Sequence, residues 1–307
     1  RMMKPVRQMT RAAERISSER FAADQLHSLE DAIDSLAPSV RGVRLSTGDR
    51  DLEGLEQAIN NMLSRVHESY VEQTRFVSDA SHELRTPIAV IQGYSDMLAR
   101  WGKTDEHILE EAISAIQAES RNMNRLVEQL LFLARGDSGR NTIAFAPFDL
   151  SETLADVCEE YKMIDSTHTF SFKTRGETTV TGDEALIKQA ARILMDNAVK
   201  YTLEGGQILL DVGMNGQEPF FGVQDDGIGI KPDDVPKVFD RFFRSDPARA
   251  RKSGGAGLGL SIAKWIVESH GGYFQVLSRE GIGTRIRVTL PQPPVAGRAA
   301  VRAPQGK

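Results

Sequence analysis

The sequence contains a single cysteine, Cys158, among its 307 residues, which excludes both a disulfide framework and a metal site built from several cysteines. It also has no apolar run approaching the roughly 18 residues that a membrane-spanning helix needs. A net charge of −5 excludes a global basic field, so no nucleic-acid partner is expected. The remaining composition is that of a globular protein, and the length indicates about two domains, or three small ones.

The N-terminal part has the periodicity of helices. Apolar residues repeat at helical spacing after Pro5, and a polar, less regular stretch covers residues 17–50. The helical pattern then continues through Pro87 to about Arg100. It begins with a heptad seam of the kind that partner helices bury, formed by Leu52, Leu55, Ile59, Met62 and Val66.

A second long helix follows a short turn at residues 101–104, where Thr104 is the predicted N-cap. Two antiparallel helices joined by a short turn form an αα-hairpin, and one hairpin cannot bury two apolar stripes. We therefore expect a homodimer that closes a four-helix bundle, the alternative being a bundle completed by other helices of the same chain. The apolar seam of the second helix is formed by Leu109, Ile113, Ile116, Met123, Val127 and Leu130.

After a predicted linker at residues 135–141, the pattern becomes α+β. Helices are predicted at residues 150–161, 183–201 and 258–269. Several strands follow one another without an intervening helix, which favours a mixed sheet with helices on one face. The predicted strands cover residues 169–173, 207–212, 220–224, 273–277 and 285–290.

Two glycine clusters indicate an anionic ligand. One, Asp225–Gly229, follows a predicted strand, and the other, Gly254–Leu260, precedes a predicted helix. Either cluster alone is more simply a tight turn, but together they flank a basic segment, as a nucleotide polyphosphate would require. The pattern is neither a Walker P-loop nor a Rossmann fingerprint. The basic residues between the clusters are Arg241, Arg244, Arg249, Arg251 and Lys252.

Two predicted helices carry further candidate site residues. The amide oxygen of Asn197 suits Mg²⁺, and Lys200 shares its helix face and could reach a phosphate. In the first long helix, His82 and Thr86 lie four residues apart and face the same way. Pro87 removes a helical hydrogen bond just beyond them, so the helix can bend there.

These motifs resemble those of bacterial sensor histidine kinases of two-component signalling. Asp79–Pro87 is similar to the phospho-acceptor H-box, and residues 1–68 resemble, less closely, a HAMP signalling module. The other boxes occur in the family order, and the resemblance covers roughly residues 70–291. They are the N-box (Asp196–Thr202), the first glycine box (Asp225–Gly229), the F-box (Phe239–Arg244), the second glycine box (Gly255–Leu260) and the closing motif (Gly281–Thr284).

The resemblance implies a multi-domain architecture. It predicts an all-α HAMP-like module at 1–68 and a dimerisation and histidine phosphotransfer (DHp) domain at 69–138. A catalytic domain at 145–292 would be an α+β sandwich of the GHKL (Bergerat) type, followed by a disordered tail at 293–307. By the same resemblance, the chain would be the cytoplasmic fragment of a protein anchored in a bacterial inner membrane, since it begins at Arg1 without a signal peptide.

The resemblance also implies an activity and its residues. His82 would be phosphorylated from ATP with Glu83 as base, and the phosphoryl group would pass to an aspartate on the receiver domain of a response regulator. Thr86 would orient water for a phosphatase activity on that regulator. Asn197 would bind Mg²⁺, Asp225 the adenine, and Arg244 the γ-phosphate. The implied ATP-binding residues are Asn197, Lys200, Tyr201, Asp225, Gly227, Gly229, Phe239, Arg244, Gly255, Gly257, Leu258 and Gly259.

One departure from the family pattern leaves alternatives open. Many members carry a second asparagine four residues before the Mg²⁺ ligand, where this sequence has Ile193. Isoleucine cannot bind a metal, so an ATP-binding pseudokinase scaffold that signals by conformation is one alternative to an active kinase. A related ATPase that uses nucleotide closure mechanically is another, and the pair His82-Glu83 argues against it.

Overall fold

The computed structural model describes residues 53–102, 105–176, 178–245 and 255–291. The chain divides into two compact units, residues 1–77 and 78–307. Most of the segment predicted to resemble a HAMP module, and all of the predicted disordered tail, lie outside the described residues. None of the helices in the described ranges carries an apolar stretch long enough to cross a bilayer.

Two long helices lie where the sequence predicts them. Helix α1 (Glu53–Trp101) continues through Pro87, and helix α2 (Glu106–Asp137) follows the turn. The predicted cap was wrong, because the Asp105 carboxylate accepts hydrogen bonds from the backbone N–H groups of His107 and Ile108. The predicted linker also begins too early, because residues 135–137 still belong to the last turn of α2.

The apolar seam of α2 is partly exposed in the single chain. Outside the seam, Ala112, Leu126 and Leu133 of the same helix are buried. In contrast, Ile113 and Val127 are 44% and 40% exposed. A helix face of this kind needs another apolar surface to cover it in water.

An α+β domain follows the hairpin, as predicted. Two short strands that the sequence analysis missed, β1 and β3, pair antiparallel; each has only four residues, too few for a period-two pattern to stand out. The elements are β1 (Ala146–Asp149), α3 (Leu150–Ile164), β2 (Thr169–Thr174), β3 (Thr179–Gly182), α4 (Glu184–Tyr201), β4 (Gln207–Asn215), β5 (Glu218–Asp225), α5 (Gly259–Ser269), β6 (Tyr273–Arg279) and β7 (Gly283–Thr289).

The main sheet is mixed and has the strand order β2-β4-β5-β7-β6. Strands β2 and β4 pair parallel, and the other neighbours pair antiparallel. Helix α4 packs between α3 and α5, and these helices contact the sheet. The core between the two layers includes Leu154, Ile187, Leu194, Ile208, Leu210, Phe221, Ile262 and Ile266.

A histidine ties two helices of this domain together. His270, at the end of α5, accepts a hydrogen bond at Nε2 from the backbone N–H of Asp183, the N-cap of α4. Its Nδ1 donates to the Ile266 carbonyl. Both ring nitrogens of His270 are thus engaged in holding the fold together.

Helix α5 also contacts helix α2 of the hairpin. The ring of Trp265 meets Phe132 edge-on, with a centroid distance of 5.1 Å. The backbone of Gly136 lies so close to the indole that an added Cβ would come within 2.6 Å of its Nε1. The ATP-binding fold predicted at 145–292 is therefore packed on the second hairpin helix of its own chain.

Candidate active site

The predicted acceptor lies on the surface of α1. His82 and Thr86 are both exposed and one helical turn apart, as their spacing predicts, while Pro87 is buried. Glu83 is half-buried and lies beside His82 in the sequence.

Glu83 forms an ion pair with a residue 161 positions away. An Arg244 guanidinium nitrogen, Nη2, donates to Glu83 Oε2 at 2.7 Å. The Arg244 side chain is 21% exposed and that of Glu83 is 32% exposed, so water screens this pair less than a surface pair. The structure thus joins the residue predicted to bind the γ-phosphate to the residue predicted to act as base.

Arg244 also acts on the end of helix α4. Burial lowers the pKa of Lys200, and the Arg244 charge lowers it further. Burial raises the pKa of Tyr201, and Arg244 opposes that shift. The Lys200 ammonium lies 5.4 Å from the centre of the Tyr201 ring. It also lies close to Gly255, where an added Cβ would be 3.2 Å from the Nζ atom of Lys200. Arg244 therefore lies between the N-box and the H-box, where positive groups converge as a polyphosphate requires.

Asn197 is oriented for an oxygen-ligand role. Its Nδ2 donates to the Ile193 carbonyl one turn earlier at 3.0 Å, so its carbonyl oxygen is the group presented for a cation. One protein oxygen fits Mg²⁺, which keeps several waters and binds phosphate oxygens. Within the described ranges, no three His, Cys, Asp or Glu side chains are placed to hold a metal by themselves.

Asp225 ends strand β5 and is held by two backbone donors. Its Oδ1 accepts from Gly227 N at 3.0 Å and from Thr284 N at 3.2 Å. Burial raises the pKa of this carboxyl, and the two hydrogen bonds work against that shift. Thr284 belongs to the closing glycine motif, so the fold brings together two boxes that are far apart in the sequence.

The glycines of the boxes are required by contacts within the chain. An added Cβ on Gly229, which has φ 68°, would collide with the Arg279 carbonyl. One on Gly257, with φ 73°, would lie 2.9 Å from the backbone of Phe242 and Phe243. At both positions the protein's own backbone approaches so closely that only glycine fits, and the predicted approach to a ligand stays a prediction.

Three other predicted residues have packing roles. Leu258 is fully buried at the start of α5, and the Phe239 ring lies 4.6 Å from that of Phe274. An added Cβ on Gly259 would lie 3.3 Å from Cγ2 of Ile193. Ile193, the departure from the family pattern, thus faces the beginning of helix α5.

The sequence analysis missed the contribution of Asp137. Arg241 binds Asp137 through both carboxylate oxygens, at 2.6 and 2.9 Å. The glycines beside Asp137 predict a linker, and only the positive charge of the basic segment indicates a partner for its carboxylate. Residues 246–254 of the basic segment, including Arg249, Arg251 and Lys252, lie outside the described residues.

The two halves of this site correspond to known families. Residues 72–139 match the family model of the His Kinase A (phospho-acceptor) domain. Residues 182–294 match that of the histidine kinase-, DNA gyrase B- and HSP90-like ATPase. The chain thus combines a phospho-acceptor hairpin with an ATPase domain of the GHKL type.

Two curated proteins and one solved structure are similar to this chain. Sensor histidine kinase YkoH of Bacillus subtilis is 38% identical over 239 residues, which are 78% of this chain and 52% of YkoH. ArlS of Staphylococcus aureus is 33% identical over 253 residues, 80% of this chain and 55% of ArlS. The histidine kinase ThkA, solved in complex with the response regulator protein TrrA, matches in fold with a TM-score of 0.59 at 24% identity, over 74% of this chain and 64% of ThkA.

This chain belongs to the bacterial two-component sensor histidine kinases. It spans about half the length of the curated relatives it matches.

Proposed function

We propose that this chain catalyses ATP-dependent autophosphorylation of His82. The observation that supports this most directly is the position of Arg244, which contacts Glu83 and influences Lys200 and Tyr201. A phosphate bound by Arg244 would lie close to the residue that follows His82. Phosphoryl transfer depends mainly on such positioning and on charge neutralisation.

In the proposed step, a ring nitrogen of His82 attacks the γ-phosphorus of ATP. A P–N bond forms, the P–O bond to ADP breaks, and Glu83 accepts the imidazole proton. Asn197 would hold Mg²⁺, which neutralises phosphate charge. Asp225 would accept a hydrogen bond from the adenine amino group, and the backbone N–H groups of Gly257 and Gly259 would face the phosphates.

The remaining ATP contacts assigned by the resemblance belong to the same proposal. The positions of Lys200 and Tyr201 support their part in it, because the two side chains are neighbours and Arg244 acts on both. Gly255 is supported by its position beside the Lys200 ammonium. Gly227, Gly229, Phe239 and Leu258 are assigned by the resemblance, and their contacts within the chain fix the backbone of the boxes to which they belong.

The proposal includes partners. The exposed seam of α2, with Ile113 and Val127, supports a homodimer that closes a four-helix bundle. The complex of ThkA with TrrA supports a response regulator as the acceptor of the phosphoryl group. Thr86, exposed one turn after His82, would orient water in a phosphatase reaction on that regulator. Membrane anchoring of the full-length protein rests on the family resemblance.

The test is a labelling experiment with γ-labelled ATP and Mg²⁺. We expect a label on the wild-type chain that is lost in acid and retained in alkali, as for a phosphoramidate. His82→Gln removes it, whereas His107→Gln, an exposed histidine on α2, is the matched control and retains it. Absence of such a label from a chain that still binds ATP contradicts the proposal and favours the pseudokinase alternative.

A further inference from the structure

Two arginines of one short segment reach two different helices of the hairpin. Arg244 binds Glu83 on α1, and Arg241 binds Asp137, the last residue of α2. Both contacts lie within a single chain. Between them, Phe242 has φ 61°, which is unusual for a bulky residue, and its N–H donates to the Gly257 carbonyl at 3.0 Å. The backbone between the two arginines is therefore held in one specific conformation.

The pair between Arg241 and Asp137 is bidentate. Its side chains are 33% and 49% exposed, and an isolated pair of that exposure adds little stability. This pair is not isolated, because the next arginine of the segment is bound as well and Trp265 packs against Phe132 nearby. The fixed geometry of two parallel hydrogen bonds supplies orientation in addition to energy.

The chain between the hairpin and the ATP-binding domain, residues 138–145, is short and anchored at both ends. Near its start, Asn141 Nδ2 donates to the Phe132 carbonyl at 3.1 Å. Near its end, Ala144 N donates to Asp183 Oδ2 at 3.0 Å. A connection of this kind keeps the ATP-binding domain beside the helix to which it is joined.

We propose that Arg241 and Asp137 form a positioning pair that seats the ATP-binding domain on the hairpin of its own chain, so that His82 receives the phosphoryl group from ATP bound by the same chain. This inference rests on the proposed function. In this arrangement Arg244 donates a hydrogen bond to Glu83, and its charge acts on Lys200 and Tyr201. The phosphate end of the proposed nucleotide site and the acceptor therefore come from one chain.

The pair is tested by charge reversal. Arg241→Asp and Asp137→Arg should each lower the rate constant of autophosphorylation about tenfold, equivalent to ~1.4 kcal/mol, and ATP affinity should stay unchanged in Asp137→Arg. The double variant, which restores an opposite-charge pair, should recover most of the rate. Arg140→Asp, an exposed arginine of the connecting segment, is the control. Single reversals that raise the rate, or leave it unchanged, overturn the positioning role.

Mixed dimers test whether the pair forms within one chain. Asp137→Arg and Arg241→Asp chains with different tags are co-expressed, and the dimers that carry both tags are isolated. A pair within one chain leaves Arg facing Arg in one protomer and Asp facing Asp in the other, so activity stays low. A pair between chains would be opposite in charge at both places and would restore activity, which overturns the inference.

A second mixture tests the transfer itself. In dimers of one His82→Gln chain and one Asn197→Ala chain, the protomer that binds ATP has no acceptor, and the protomer with the acceptor does not bind ATP. We expect no acid-labile label. A label here shows transfer between chains and overturns this inference, while the proposed function fails only if the wild-type chain takes no label.

Discussion

At the residue scale, Ile193 shows how a departure from a family pattern is accommodated. Its backbone carbonyl accepts from the Asn197 amide, which orients that side chain. Its Cγ2 lies 3.3 Å from the place that a Cβ on Gly259 would occupy. The residue therefore orients the proposed Mg²⁺ ligand, Asn197, through its backbone, while its side chain has an apolar packing role.

The contact between Ile193 and Gly259 leads to a prediction. Gly259→Ala should weaken ATP binding several-fold, because the new methyl group would lie 3.3 Å from Ile193 Cγ2 and displace the start of α5. In an Ile193→Ala background the space is open, so the same substitution should have a smaller effect. Titration with a fluorescent ATP analogue measures both. Equal effects in the two backgrounds would show that the two residues do not interact.

At the scale of elements, the loop between α3 and β2 is tied to the end of α4. His168 Nδ1 lies 2.7 Å from Asp165 Oδ2, and its Nε2 faces the Thr202 carbonyl at 3.4 Å. Thr202 is the C-cap of α4, the helix that carries Asn197 and Lys200. The loop is thus part of the support for the N-box.

This loop predicts a dependence of stability on pH. Burial would raise the pKa of Asp165, but hydrogen bonds from Thr167 and His168 outweigh it and lower the pKa from 3.8 to about 2. Because the folded-state value is depressed, this stabilisation is present above about pH 4 and is lost as the pH falls towards 2. Asp165→Asn should therefore reduce the free energy of unfolding at pH 5 by up to about 2 kcal/mol, and by less at pH 2.5.

Urea unfolding of the wild type and Asp165→Asn at the two pH values measures this difference. Asp233→Asn, an exposed aspartate, is the control and should have little effect at either pH. A difference between wild type and Asp165→Asn that is the same at pH 5 and pH 2.5 would contradict the assignment.

At the scale of the unit formed by residues 78–307, the ATP-binding domain packs on helix α2, and the proposed phosphoryl transfer depends on this arrangement. Phe132 and Gly136 of α2 pack against Trp265 of α5, next to the ion pair of Asp137. Seating the domain brings Arg244 to Glu83. Separation of the two parts would take the phosphate end of the site away from His82.

Tryptophan fluorescence can follow this seating. The chain has two tryptophans, so Trp101→Phe leaves Trp265 as the only one. In that background, Phe132→Ala should shift the Trp265 emission to longer wavelength, because the indole loses its aromatic neighbour and gains water, and should slow autophosphorylation. Phe145→Ala, whose ring contacts His270, is the control. An unchanged emission spectrum would show that Phe132 does not hold the indole.

Much of this protein could be predicted from local patterns. Helical periodicity indicated α1 and α2, and the order of the boxes indicated an ATP-binding domain after an acceptor hairpin. The short strands β1 and β3 were missed because four residues carry too little pattern. The cap was predicted one residue too early, at Thr104, because threonine is also a common N-cap residue, although aspartate is preferred.

The sequence by itself determined the residue types that phosphoryl transfer requires, because His82-Glu83, Asn197 and Asp225 lie in short motifs whose meaning depends only on their neighbours. Only the tertiary structure decided which of them meet. The pairs of Glu83 with Arg244 and of Asp137 with Arg241 join residues more than 100 positions apart. Such pairs depend on how the ATP-binding domain packs on the hairpin, and a local sequence pattern does not specify that packing.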